Sequence, residues 1–155
     1  YIRLTGGARN PQVYREDYSY EIGKANTLRE GNDITIIAAG TMVYVSLEAA
    51  DILLEQGISA TVVNMHTIKP IDTSMIEKAC ESSKLIVTVE EHSTIGGLGS
   101  AVAEYKATLK NTPSQFFIGL PDNHGKAGEY KDLLEKHGLT AIQIAKGIVN
   151  QYERV

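Results

Sequence analysis

Three apolar runs, spaced as strands are in βαβ units, constrain the fold of this chain most strongly. They cover residues 34–39, 59–65 and 85–89, and helical periodicity fills the stretches between them. Strands that are apolar nearly throughout are typical of a parallel sheet whose two faces are both covered by helices. Parallel strands also need a crossover connection, which the helical stretches supply. The pattern therefore predicts an α/β domain.

Shorter segments complete the predicted sheet. A strand at about residues 24–29 precedes the turn signal at residues 31–33, so we expect it to form an antiparallel hairpin with the strand at 34. A last short strand is expected at residues 115–118. The predicted fold is a three-layer α/β/α sandwich with a five-stranded mixed sheet, mostly parallel with one antiparallel edge strand. Helices are expected at residues 42–56, 73–83, 97–110, 129–137 and 141–152.

Composition narrows the class of protein. The 155 residues suit one domain, and the net charge of -4 comes without a block of Lys or Arg. We therefore expect no nucleic-acid partner and no membrane. Cys80 is the single cysteine, and no apolar leader stands at the N-terminus, so we expect a cytoplasmic protein. Because the chain begins at Tyr1 within an alternating apolar segment, we expect it to be part of something larger.

The point where the chain reverses direction across the sheet is the first candidate site. If the strands at 59 and 85 flank the strand at 34, a crevice opens beside Gly40 and Glu90, where open α/β sheets bind ligands. Adjacent residues of a strand face opposite ways, so one of Glu90 and Glu91 is expected to be structural and the other to reach the crevice. His92 would then sit beside it for proton transfer or anion binding, or be an ordinary surface histidine.

A glycine-rich helix start follows this acidic pair, at residues 96–100. Its backbone N–H groups suit an anion, and its small residues equally suit close packing of the helix on the sheet. The motif is neither a Walker A loop nor a dinucleotide fingerprint. The residues predicted for an anion or interface site are Gly40, Thr41, Glu91, His92, Gly96, Gly97, Gly99 and Ser100.

The loop at residues 119–128 is the second candidate, with Asp122 and His124 as its polar groups. His66, His92 and His124 all follow strands, which invites a metal site, but no pair has the close spacing of known ligands, so we predict none. No nucleophile with an adjacent base emerges, so we assign no catalytic residue.

Several motifs, in order, resemble the C-terminal domain of transketolase, and most closely its split form, in which separate chains carry the halves of the enzyme. Deoxyxylulose-phosphate synthase and the β subunits of 2-oxo acid dehydrogenases are similar at the same places. The resemblance rests on residues 21–26, 34–40, 63–72 and 88–102, and extends to 119–122 and 133–140.

The resemblance implies an enzyme that transfers two-carbon ketol units between sugar phosphates, with thiamine diphosphate and a divalent metal held by other domains. Residues 1–20 would be the end of a preceding pyrimidine-binding domain and a linker, with Arg3 near a substrate entrance, and residues 21–155 the C-terminal domain. That domain would serve docking, dimerisation and regulation, so we expect the cofactor-binding domains or subunit as its partner, a homo-oligomer, and no activity of this chain alone.

Two alternatives stay open. One is a stand-alone regulatory module that binds an anion or metabolite at the glycine-rich helix start. The other is a fragment of a 2-oxo acid dehydrogenase β subunit.

Overall fold

The computed structural model describes residues 11–14, 16–125 and 127–155. The predictions for residues 1–10, including Arg3 and the end of a preceding domain, lie outside the described residues. Five strands form one sheet in the order β1-β3-β2-β4-β5. Their bounds are β1 Asn26–Arg29, β2 Ile34–Ala38, β3 Ala60–Asn64, β4 Leu85–Ser93 and β5 Ser114–Leu120.

The strand directions confirm the predicted mixed sheet. The strands β3 and β4 flank β2 on either side and run parallel to it, and β5 runs parallel to β4. The strand β1 is antiparallel to β3 at the opposite edge. All five residues of β2 are buried, as its apolar sequence predicts for a strand between two helical layers.

The expected hairpin between β1 and β2 is wrong, because β1 pairs with β3 instead. The connection between them crosses the beginning of β3. There the N–H of Gly31 donates to Thr61 Oγ1 at 2.9 Å, and Thr61 Oγ1 donates to the Gly31 carbonyl at 2.8 Å. A Cβ at position 31 would stand 2.3 Å from the carbonyl carbon of Ala60, so only glycine permits this crossing. The turn signal therefore marks a crossing point rather than a hairpin.

Five helices cover the sheet among the described residues. Four of them differ from the expected bounds. Helices α1 and α2 each end one residue earlier, and α4 is one residue shorter at each end. Helix α3 begins one residue later and ends at Lys106, because residues 107–109 continue in irregular turns. Side-chain caps begin two helices, at Asp72 for α2 and Thr140 for α5. The bounds are α1 Met42–Glu55, α2 Thr73–Ser82, α3 Leu98–Lys106, α4 Tyr130–Lys136 and α5 Ala141–Tyr152.

Two hydrophobic clusters lie on the two faces of the sheet. One joins β2 and β4 to α1 and α5, with Ile36, Leu53 and Ile144 completely or almost completely buried. The other joins β3 and β4 to α2 and α3 through side chains such as Ile76 and Leu98. Burying an aliphatic side chain of this size contributes about 1.5–3 kcal/mol. The three-layer arrangement thus follows from strands that are apolar on both faces.

Among the described residues, no helix has the length and apolar character needed to cross a membrane.

Candidate functional site

The carboxyl ends of β2, β3 and β4 meet at one edge of the sheet. The backbone joins them there, since the Ala39 N–H donates to the Val89 carbonyl at 3.3 Å and the Met65 N–H donates to the Ala38 carbonyl at 2.9 Å. Along the chain, β2 is followed by β3 and then β4, and in the sheet β3 lies on one side of β2 and β4 on the other. The predicted reversal of strand order beside Gly40 is confirmed, and ligands of open α/β sheets bind at such points.

A polar cluster of Thr41, Glu91 and Tyr130 lies at this reversal point. The Thr41 hydroxyl donates to Glu91 Oε2, and the Tyr130 hydroxyl donates to the same oxygen at 2.7 Å. Partial burial, reinforced by the hydrogen bond to Glu91 and its negative charge, raises the pKa of the Tyr130 phenol. The structure thus brings together the predicted Thr41 and Glu91 and adds Tyr130, which the sequence did not indicate.

The neighbouring Glu90 has a different role. The residue is only 4% exposed, and its two carboxylate oxygens accept the N–H groups of Leu98 at 2.7 Å and Gly99 at 2.9 Å. These two N–H groups lie in the first turn of α3, where no carbonyl of the helix itself can accept them. The negative carboxylate also interacts favourably with the positive end of the helix dipole. The acidic pair divides as its alternation predicts: Glu90 is structural, and Glu91 lies at the reversal point.

The glycines of the helix start lie against the sheet. A Cβ at Gly97 would stand 2.0 Å from Glu90 Oε2, and one at Gly99 would stand 2.5 Å from Phe117 Cδ1. The absence of side chains therefore allows the carboxylate to reach the helix end. The packing interpretation of this motif accounts for both positions.

The same contacts limit anion binding at this helix start. The N–H groups of Leu98 and Gly99 already have a carboxylate partner, and the Gly96 N–H donates to Ser100 Oγ at 2.8 Å. Ser100 Oγ in turn donates to the Thr94 carbonyl at 3.2 Å. An anion would have to displace Glu90, so anion binding here stays a prediction that the observed contacts do not favour.

The histidines occupy separate surroundings. The exposed His92 has Nδ1 3.1 Å from the Ser93 carbonyl, to which a protonated Nδ1 donates. The ring of His66 packs on Tyr20, with 4.6 Å between centroids, and its Nδ1 lies 2.9 Å from Thr67 Oγ1. In the part of the chain that the structure describes, no group of three or more His, Cys, Asp or Glu residues could hold a metal ion.

The second candidate loop leads into helix α4. Asp122 and His124 are both exposed. The contact from this region to the reversal point is made further along, by Tyr130, whose hydroxyl donates to Glu91. The two candidate regions are therefore connected through α4 rather than through the predicted Asp122 and His124.

An open α/β sheet with one antiparallel edge strand and a polar cluster at its reversal point defines a domain of the doubly wound class. Residues 23–144 match the family model described as the transketolase C-terminal domain, and the chain belongs to this family.

Curated relatives support the same family. The chain is 44% identical over 148 residues to one subunit of the apulose-4-phosphate transketolase of Phocaeicola vulgatus, covering 94% of this chain and 46% of that protein. It is 45% identical over 139 residues to a putative transketolase C-terminal section of Methanocaldococcus jannaschii, covering 90% of this chain and 43% of that protein. The chain spans less than half the length of these two relatives.

A solved structure agrees with these relatives. It is described as a split gene transketolase, inactive beta4 tetramer, and it superposes with a TM-score of 0.84 at 40% sequence identity, over 90% of this chain and 46% of that one. The likeness in both sequence and fold confirms the resemblance found in the ordered motifs.

Proposed function

We propose that this chain is the C-terminal domain of a thiamine diphosphate-dependent, transketolase-like enzyme that transfers two-carbon ketol units between sugar phosphates. The observation that carries the proposal is the match of nearly the whole chain, at 44% identity, to part of an apulose-4-phosphate transketolase subunit. Residues 1–20 would end a preceding pyrimidine-binding domain and link it to residues 21–155. Our proposal includes a cytoplasmic location and a homo-oligomeric enzyme.

The described residues do not fit a thiamine diphosphate site of their own. A diphosphate with its divalent metal needs a set of oxygen ligands, and the described part of the chain has no cluster of three acidic or histidine side chains. The helix start best suited to a phosphate is held by Glu90. We therefore assign the cofactor to other domains and derive no chemical step at residues of this chain.

The edge of the sheet at the reversal point is the surface that we propose for docking to those domains. Three isoleucines are exposed in segments that flank the strands: Ile22 before β1, Ile68 after β3 and Ile95 after β4. Ile95 is 67% exposed and lies close along the chain to Glu91, a member of the polar cluster. Apolar side chains within a polar rim are typical of protein interfaces.

Reconstitution tests this proposal. The chain is mixed with the polypeptide that carries the thiamine diphosphate site of the same enzyme, and two-carbon transfer from a ketose phosphate to an aldose phosphate is followed. We expect activity only in the mixture. The variant Ile95→Asp should weaken association about tenfold or more, equivalent to about 1.4 kcal/mol. Ile142→Asp, on the exposed side of α5, is the control and should bind normally.

Two results would refute the proposal: transfer by this chain alone, or no association with the cofactor-binding polypeptide. If a phosphate compound stabilised the chain instead, and His92→Ala removed that effect, the regulatory-module alternative would be favoured. If the associated polypeptides acted on a 2-oxo acid and passed the product to a lipoyl acyltransferase, the 2-oxo acid dehydrogenase alternative would be favoured.

A further inference from the structure

The two edges of the sheet are protected to very different degrees. The strand β1 has four residues, a register shift between Thr27 and Arg29, and an ion pair from Arg29 to Asp51. The segment before it also lies over this edge, where the Tyr14 hydroxyl accepts from the side-chain amides of Asn26 at 3.1 Å and Asn64 at 2.8 Å. Short, irregular and charged edges resist pairing with another chain.

The opposite edge, β5, is less protected among the described residues: it is longer, and the register shift in its pairing with β4 falls only at its end, between Ile118 and Leu120. Its seven residues, Ser114–Leu120, contain no charged residue and no proline, and include two phenylalanines and an isoleucine. Within the described residues, the order of strands ends at β5, and no backbone hydrogen bond joins residues 114–119 to anything but β4. A long, neutral edge strand with high β propensity is a ready partner for another strand.

The packing behind β5 holds this edge in place. Gly99 of α3 lies against Phe117 on one face, and Gly147 of α5 lies against Phe116 on the other, where a Cβ would stand 3.4 Å from Phe116 Cε1. Ile118 is buried in the cluster of α1 and α5. The strand is therefore fixed between two helices, and pairing would need little further ordering.

We propose that β5 is a self-association surface, on which a second copy of this chain pairs its own β5 antiparallel across a two-fold axis. In such a two-fold interface, β5 of one copy lies against β5 of the other. If the strand carried charges, like charges of the two copies would therefore lie close together and repel. The neutral β5 avoids that repulsion. Placing the middle residue, Phe117, on the axis pairs all seven residues and joins the two sheets into one.

Phe117 suits the position on the axis. It is 38% exposed, which makes it the large apolar side chain of β5 most open to solvent. In the proposed register Phe117 faces its own copy, Ser114 faces Leu120, and Phe116 faces Ile118. Aromatic and β-branched cross-strand pairs of this kind stabilise antiparallel sheets.

The size of the interface sets the expected affinity. Seven residues span about 23 Å of strand. One pair of strands of this length buries less surface than the about 1,600 Å² of a standard protein interface. We therefore expect a dimer that forms in the micromolar range for the isolated chain. The inference gives a surface to the self-association proposed above and rests on it, whereas two-carbon transfer is tested separately by reconstitution.

Sedimentation velocity on the full 155-residue chain, over about 2–200 μM, is the first test. We expect the 16.9 kDa monomer to shift toward twice that mass as concentration rises. Phe117→Lys would place two ammonium groups on the axis and should keep the chain monomeric throughout. Ile142→Lys, at a position 71% exposed on α5, is the matched control and should dimerise normally.

A disulfide test covers the case in which Phe117→Lys fails to fold. Directly opposed antiparallel residues have Cα atoms about 4.5–5.5 Å apart, within the range that a disulfide spans. In a Cys80→Ser background, Phe117→Cys should form a covalent dimer on mild oxidation, whereas Ile142→Cys should not.

The inference is overturned if the chain stays monomeric at every concentration, or if a dimer persists in the Phe117→Lys variant. It is also overturned if position 117 crosslinks no better than position 142. Loss of binding to the cofactor-binding polypeptide on Phe117→Lys, with no dimer of the chain itself, would assign the edge to that partner instead.

Discussion

The carboxylate of Glu90 accepts the backbone N–H of Leu98 at 2.7 Å, so that strand β4 caps helix α3 eight residues further along the chain. The second oxygen accepts the Gly99 N–H at 2.9 Å. A side chain that follows the apolar part of β4 thus satisfies two of the donors that a helix start leaves unpaired.

Replacing Glu90 should therefore destabilise the fold. Glu90→Gln keeps one acceptor but loses the charge and the second acceptor, and should lower the free energy of unfolding by about 1–3 kcal/mol. Urea denaturation measures this change. Glu91→Gln is the matched control, because the exposed Glu91 side chain makes only surface hydrogen bonds, and should cost about 0.5 kcal/mol or less. Equal effects at the two positions would contradict the assigned roles.

The close contact of α3 with β5 predicts a steric effect at Gly99. A Cβ there would stand 2.5 Å from Phe117 Cδ1 and 2.8 Å from Thr88 Oγ1, so Gly99→Ala should destabilise the chain by about 1–3 kcal/mol in thermal or urea unfolding. The control is Gly125→Ala, where an added Cβ meets no atom within 4 Å. A neutral or stabilising Gly99→Ala would show that the helix does not lie as close as described.

Asp72 links the beginning of α2 to the segment before β1, and predicts a pH effect. Its carboxylate accepts the N–H groups of Met75 at 3.1 Å and Ala25 at 2.8 Å. Burial alone would raise the pKa of Asp72, but hydrogen bonds from Ser74, Ala25 and Met75 hold the pKa below its usual value. Because the folded-state pKa is the lower one, the stabilisation is present above the unfolded pKa of about 3.9 and is lost as pH falls through the folded value.

Unfolding curves at several pH values test this linkage. Asp72→Ala should cost about 1 kcal/mol at pH 7, as the loss of a helix N-cap does, and the difference from the original chain should shrink below about pH 4. Ser82→Ala, at the other end of α2 and exposed, serves as the control. A difference that stayed constant down to about pH 2 would rule out ionised Asp72 as its source.

The hydrogen bond from Tyr130 to Glu91 predicts a titration change. Partial burial and this hydrogen bond raise the pKa of the phenol, and the contact is retained until the phenol ionises, above about pH 10. With tyrosine rings labelled with carbon-13, the Tyr130 resonance, assigned from Tyr130→Phe, should titrate at lower pH in Glu91→Gln than in the original chain. An unchanged titration would mean that the beginning of α4 does not reach the reversal point in solution.

Much of the fold could be predicted because the buried strands appear in the sequence as apolar runs separated by helical stretches. Four of the five residues of β2 are apolar and all five are buried. The neighbouring strands β3 and β4 follow at βαβ spacing, which largely fixes the direction of each strand. The pairing of β1 could not be predicted in the same way. A glycine turn is compatible with a hairpin and with a crossing, and only the approach of Gly31 to the Ala60 backbone decides between them.

The part of the candidate site that depends on the alternating orientation of adjacent strand residues could be predicted from the sequence. The part that depends on contacts between residues far apart in the chain could not. Strand geometry separates Glu90 from Glu91 without knowledge of the fold. Tyr130 is 39 residues from Glu91, and the intervening loop at residues 119–128 has no periodicity that would indicate where α4 lies. The roles of Asp122 and His124 remain predictions, since the contact from this region is made by Tyr130.

Calorimetric titration of thiamine diphosphate with Mg²⁺ into this chain tests the central claim most directly. The claim is that this domain belongs to a transketolase-like enzyme whose cofactor is held elsewhere. We predict no saturable heat of binding up to about 1 mM cofactor, and binding once the cofactor-binding polypeptide is added. Saturable binding to the chain alone, with a dissociation constant in the micromolar range, would contradict the account.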